Sequence, residues 1–364
     1  MTLIKRTQIA AWLPLFLVGA SACEEPIPPK DPSYLDGGIS LSATISGYSF
    51  DPEAFFFMLA TCPVTPPAQP GQCPLPPVIV PNTPIWETAK LPGALVGLFD
   101  PLQPMQTNPL PFRAPAPTSD GAGWNIEDVP VRPGPPYFPV AFKPPAMDGG
   151  DGGTGRGPVP PANYLPTFTV KPISTADTTL CFGQEAAVFG DSGILEAVAK
   201  HLNLPAAGAL LDPTVSGGVV ITWLYLAQDA VVRVPAFGAF TTANAGTTYD
   251  IWWAPPDVLP PFLKQSRRGF FVNTSGPPMP GQQGPIGVNV TVLPPLTGPP
   301  APVAFTFNDP VKDDKSGNPV LTGRPFTFPA IAPFTVPPGL VTYLGLLGNR
   351  PLEPPPPAWV CLPK

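Results

Sequence analysis

Ser192 lies in Gly190-Asp191-Ser192-Gly193, the local pattern of a serine nucleophile, and His201, the one histidine of the chain, follows nine residues later. Such a nucleophile needs an imidazole within hydrogen-bond reach and a third group to orient it. Apolar residues Ile194, Leu195, Val198 and Leu202 recur at helical spacing, which predicts a helix over 192–202. Nine residues on a helix span roughly 13 Å along its axis, so the serine and the histidine cannot pair there. Ser192 therefore reads as the helix cap, and His201 as a surface residue near the helix C-terminus, where positive charge is favoured. The run Gly150-Asp151-Gly152-Gly153-Thr154-Gly155 spells a dinucleotide-binding pattern, yet prolines follow and no helix opens, so no pyrophosphate site forms. One copy of this run, with Asp148 and Asp151, also lacks the oxygen ligands that calcium takes, about six to eight. The adjacent carboxylates Glu127 with Asp128, and Asp313 with Asp314, would diverge on a strand and read as solvated turn residues. No catalytic residue, metal site or cofactor is assigned.

Trp252 and Trp253 are harder to place as plain core. In a strand over 249–254, Tyr249, Ile251 and Trp253 share one face, and Trp252 joins Asp250 on the other. One indole is then expected to point away from the nearest core. Trp252, Trp253 and Tyr249 are thus the candidate ligand-binding aromatics, suited to stacking on a sugar ring or filling a protein interface.

The five cysteines are Cys23, Cys62, Cys73, Cys181 and Cys361. An odd number in an oxidising compartment leaves one thiol to explain. Setting Cys23 aside leaves four, with three possible connectivities. The favoured one joins Cys62 to Cys73 across a proline-rich loop and Cys181 to Cys361, which would close a long loop and contribute a few kcal/mol. The special place of Cys23 follows from what precedes it. Lys5 and Arg6 begin a segment that continues as an uncharged run over 9–19 and ends Ala20-Ser21-Ala22-Cys23. A basic start, a short apolar core and small residues mark an export signal, too short for a transmembrane helix of about 20 apolar residues. The segment resembles a bacterial lipoprotein signal. That resemblance implies cleavage before Cys23, lipidation of its thiol and acylation of the new amino terminus. Ala20 and Ala22 also fit an Ala-x-Ala cleavage site, which keeps plain secretion as the alternative.

Only 12% of the 364 residues are charged, whereas 63 are proline and 35 glycine. A hydrophobic share of 43%, interleaved with those prolines, supplies apolar area to offset chain entropy, so the composition reads as a folded β protein with proline-rich loops. The net charge is −6 and becomes about −8 once Lys5 and Arg6 leave, with no basic stripe for nucleic acid. No polybasic segment flanks Cys23 either, so attachment to a membrane would rest on acyl chains alone.

Residues 23–38, rich in proline, read as an extended tether after the 1–22 signal. Strands are expected over 39–45, 54–60, 94–99, 123–126, 137–142, 218–227, 231–234, 249–254, 269–273, 287–292, 303–307, 326–328 and 341–347. Residues 218–227 alternate two apolar sets, Val219, Ile221, Trp223 and Tyr225 against Val220, Leu224 and Leu226, as a strand covered on both faces does. The Gly/Pro run 148–162 reads as a linker between a first β-sandwich, 39–147, and a second over 163–364 with a C-terminal β extension. Many short strands between frequent turn signals argue for all-β sandwich architecture.

Thr118-Ser119-Asp120-Gly121-Ala122-Gly123-Trp124, continuing through Ile126 and Val129-Pro130 to Tyr137 and Val140, resembles the carboxypeptidase regulatory-like domain of exported proteins. The turn over 314–320 is similar, as is Arg268-Gly269-Phe270-Phe271-Val272 leading to 288–292. The resemblance implies tandem immunoglobulin-like or transthyretin-like β-sandwiches of accessory, non-catalytic role. The expected protein is a lipid-anchored envelope or surface protein, with the outer membrane as its site and a glycan or envelope protein as its partner. A carbohydrate-binding module is the alternative, and a serine- or carboxylate-dependent hydrolase ranks third.

Overall fold

Residues 219–225 are buried without a break, and the reason is that their strand has a neighbour on each side and a core on each face. The structure is a computed structural model that describes residues 42–54, 89–102, 116–117, 122–132, 135–143, 163–171, 184–229, 232–236, 238–254, 261–274, 285–308 and 328–348. All of them belong to one compact unit, Leu41–Lys364.

The first strands in chain order are β1 (Ser42–Phe50), β2 (Leu95–Phe99), β3 (Ala116–Pro117), β4 (Gly123–Pro130), β5 (Phe138–Phe142), β6 (Tyr164–Leu165) and β7 (Thr167–Thr169). Then come β8 (Gln184–Ala187), β9 (Phe189–Gly190), helix α1 (Ile194–His201), β10 (Gly218–Asp229), β11 (Val232–Pro235), β12 (Phe240–Ala243) and β13 (Thr247–Trp253). The remainder are β14 (Phe270–Val272), β15 (Val288–Leu293), β16 (Pro302–Val303), β17 (Phe305–Asn308), β18 (Phe334–Thr335) and β19 (Val341–Gly348). The described residues are thus mostly β, with one short helix. No helix among them is long and apolar enough to cross a membrane.

One mixed sheet runs β14-β13-β15-β10-β19-β7-β5-β2-β3, with β11 beside β10. β10 is antiparallel to β15, Gly218 opposite Leu293, and parallel to β19, Val219 opposite Val341. Its two apolar sets divide as the alternation predicts. Val219, Ile221, Trp223 and Tyr225 pack with Ile194, Leu195 and Val198 of α1, whereas Leu224 joins Leu344, Leu346 and Phe168, and Val220 joins Val303, Phe305 and Val336. A second sheet, β4-β1-β8, shares a core with β2 and β5: Ile45, Trp124, Ile126 and Val188 pack with Val96, Leu98 and Ala141.

The division into two separate sandwiches does not hold. β5 precedes the 148–162 run and β7 follows it, yet they are antiparallel neighbours with Val140 opposite Phe168. β1 and β8 pair in parallel across the same run. A Gly/Pro segment excludes regular structure within itself but leaves its flanks free to share a sheet. Of the strands expected at 54–60 and 326–328, only Ala54 and Phe328 are described, neither in a strand.

Helix α1 stops where its sequence says it should. Leu204 N–H donates to Ala199 O and Asn203 N–H to Lys200 O, the paired bonds of a Schellman ending, with Asn203 in the left-handed region at φ +58°. Pro205 follows and cannot continue the helix.

Candidate functional site

The start of α1 is where the chain concentrates buried charge. β1 ends at Phe50, and Asp51 N–H donates to Ala89 O, which turns 51–54 inward. Glu53 N–H donates to Asp51 Oδ1 at 2.9 Å, so the two carboxylates of the turn are held in fixed relation. Glu53 Oε1 then accepts the Ile194 N–H at 2.7 Å, from 141 residues away in sequence. The first turn of a helix leaves unpaired N–H groups and a partial positive charge, and a carboxylate satisfies both.

Opposite stands Arg268. Its Nη1 donates to Glu53 Oε2 at 2.7 Å and to Asp51 Oδ2 at 2.9 Å. The turn carrying it is tied down by its backbone: Arg268 N–H donates to Ser192 O, and Gly269 N–H to Ser266 O. Trp253 Nε1 donates to Arg268 O at 3.0 Å. Gly269, at φ +91°, is required here, since a Cβ would come within 2.2 Å of Ala254 O. Tyr164 donates its hydroxyl to Asp51 Oδ2 at 3.4 Å.

The side chains of Glu53 and Arg268 are fully buried, and that of Asp51 is 5% exposed. Burial, helped by the charge on Asp51, pushes the Glu53 carboxyl up to about 7, against the pull of Arg268. For Arg268, burial lowers the pKa, and Asp51 and Glu53 together more than offset it, leaving the guanidinium charged. Burial also raises the Tyr164 phenol, which stays protonated. The two carboxylates could have held a cation, but the guanidinium occupies that role. Among the described residues no group of three or more His, Cys, Asp or Glu could hold a metal ion.

Ser192 is not the helix cap. Gly193 holds the N-cap position without a side-chain bond, the capping acceptor is Glu53, and Ser192 Oγ is buried with no partner among the described residues. His201 stacks edge-on against Tyr249, ring centroids 5.3 Å apart, with its pKa lowered by burial and by Lys264. It is thus a partly buried residue, spent on packing, and no triad is assembled.

The aromatic candidates are corrected as well. Trp253 and Tyr249 share a face as expected, and it meets α1, with Trp253 within the core and Tyr249 packed against it. Trp252 takes the opposite face but is only 7% exposed, because Phe271 of β14 sits opposite it in register and Leu263 closes over the pair. Among the described residues no open stacking platform results. Glu127 and Asp128 are both exposed, where the β1–β4 register slips between Ala43 and Ile45 and Asp128 takes φ +54°. The bulge, not strict alternation, sets their direction, and they remain solvated. Cys23, Cys62, Cys73, Cys181, Cys361, Asp148, Asp151, Asp313 and Asp314 lie outside the described residues.

Sequence reading missed the Asp51, Glu53 and Arg268 cluster. Its one local signal is that both acids interrupt an apolar stretch, Phe50 before them and Ala54-Phe55-Phe56-Phe57 after, and a charge so flanked is a candidate for burial. No protein-family model matches this chain, and no curated protein matches it.

Proposed function

We propose that the chain is an exported protein of a bacterial cell envelope, anchored through a lipidated Cys23, whose β fold serves binding or assembly without catalysis. The observation that carries this reading is the order of residues 1–23: two basic residues, an uncharged apolar run, then Ala20-Ser21-Ala22-Cys23. Two acyl chains suffice for stable attachment where no basic patch assists. The β architecture supports the non-catalytic part, since the most deeply buried ionisable cluster among the described residues is turned inward and joins three segments of chain. The immunoglobulin-like or transthyretin-like assignment belongs to the same proposal. It draws support from two sheets that share a core around Trp124 and Val96.

The test is mass spectrometry of the mature amino terminus, joined to membrane fractionation of the full-length chain and its Cys23→Ala variant. A diacylated or triacylated Cys23, with the native protein in the membrane fraction and the variant released from it, is the expected result. An unmodified Cys23 in a protein that fractionates as soluble would remove the anchor from the reading.

A further inference from the structure

The cluster at the start of α1 has one more acid than base. Asp51 and Glu53 share the single guanidinium of Arg268, and all three are sealed from solvent. The groups around them do not restore the balance. Tyr164, from β6, is neutral. Lys143, after β5, stands over the Tyr164 ring at 5.6 Å; burial lowers its pKa and the charge on Asp51 raises it, so it answers Asp51 only from a half-buried position outside the sealed three. On the outer side of α1, Arg267 reaches Asp191 and Glu196, and Lys200 reaches Glu196. That outer set holds two acids and two bases, so its net contribution is nil. The inner three retain one excess negative charge in a dry site, where an unbalanced charge costs several kcal/mol or takes up a proton instead.

We propose that the Asp51, Glu53 and Arg268 cluster is a proton-operated clasp, in which Glu53 binds one proton on going from neutral to mildly acidic conditions and thereby tightens the junction of the 51–54 turn, the start of α1 and the 266–269 turn. Protonated Glu53 keeps an oxygen for the Ile194 N–H and leaves Arg268 paired one to one with Asp51, so every charge in the dry site is matched. The direction of the effect follows from linkage. The Glu53 carboxyl lies near 7 in the fold against 4.5 when solvated, so the fold binds the proton more tightly than the unfolded chain does. The stabilisation is complete below the lower value and is lost as pH rises through the upper one.

The experiment is urea unfolding of the native chain and of Glu53→Gln, a neutral isostere of the protonated acid, at about pH 5 and about pH 8. The unfolding equilibrium constant of the native chain, relative to the variant, is expected to rise roughly 100-fold from the lower to the higher pH. An unchanged or falling ratio overturns the proposal. The second measurement needs only the native protein: carboxyl-13C spectra of labelled glutamate together with the amide of Ile194, followed through a pH titration. One glutamate carboxyl changing near neutrality, with the Ile194 amide shifting at the same midpoint, is the expected outcome. Complete ionisation of every glutamate by about pH 6 would refute the clasp even if Glu53→Gln failed to fold.

Discussion

Gly193→Ala tests the packing that the Glu53 cap depends on. A Cβ at this position would stand 1.8 Å from Glu53 Oε2 and 2.2 Å from its Cδ. That is roughly 1.5 Å or more inside van der Waals contact, and the obstacle is a carboxylate pinned from both sides rather than a free side-chain tip. To make room, Oε1 must leave the Ile194 N–H and Oε2 must leave Arg268. An unsatisfied buried N–H costs about 1–3 kcal/mol, and disrupting a buried ion pair about 3–5 kcal/mol. The two losses overlap, because Arg268 keeps Asp51, so the combined loss is set at about 4 kcal/mol. At φ −111° and ψ −127° Gly193 lies outside the α and β regions, so alanine recovers nothing from the unfolded chain and the net destabilisation stays at about 4 kcal/mol. Urea unfolding followed by tryptophan fluorescence measures it, since Trp223 and Trp253 lie in the core that α1 covers. The decisive comparison is the double variant with Glu53→Ala, which empties the space the new methyl group needs. In that background the part of the Gly193→Ala penalty that comes from the clash with Glu53 should disappear. A single variant within about 0.5 kcal/mol of the native chain, or an equal penalty with and without Glu53, would refute the steric argument.

Asp100 binds Arg132 through two hydrogen bonds of 2.7 and 2.5 Å, and those bonds, more than charge alone, hold its carboxyl below the ordinary aspartate range. Asp100→Asn should therefore cost about 1–2 kcal/mol at neutral pH. The gap should narrow as pH falls below the ordinary aspartate value of 3.8 toward the depressed one, because the native carboxylate is then protonated too; a gap that stays constant across that range in urea unfolding would show that the charge is not its source. Trp252→Ala should cost about 3 kcal/mol through the cavity left against Phe271, with no change on a glycan array. A variant that keeps its stability while losing a sugar signal would restore Trp252 as a ligand-binding residue.

Periodicity located β10 and α1 because each buries enough apolar surface in a regular pattern to be read locally. It could not locate β7 and β8. Thr167–Thr169 and Gln184–Ala187 are three and four residues long, and neither presents an alternating apolar face. They are held by tertiary bonds in which Ala187 N–H donates to Thr169 Oγ1 and Phe189 N–H to Thr167 Oγ1. The same limit explains Trp252. Alternation assigns it correctly to the face opposite Trp253, but whether that face is covered depends on Phe271, nineteen residues away and aligned only after β13 and β14 pair.

The cap of α1 shows why the site was less legible than the fold. Ser192 is the local residue of the right chemistry, and capping rules therefore select it. The structure selects Glu53 because Gly193 leaves no Cβ in the way and because Arg268 supplies a counter-charge that a serine cannot answer. Satisfying the helix and pairing the guanidinium with one carboxylate requires segments separated by 141 and 215 residues to meet at a single point. Any assembly that misplaces Glu53 leaves the Ile194 N–H buried without its acceptor and takes one of two carboxylates from Arg268, at a cost of about 1–3 kcal/mol for the buried N–H alone. In a chain with only 12% charged residues, three of them are therefore committed to fixing which strand end meets which turn, and a contact at that sequence separation leaves no period for a local reading to detect.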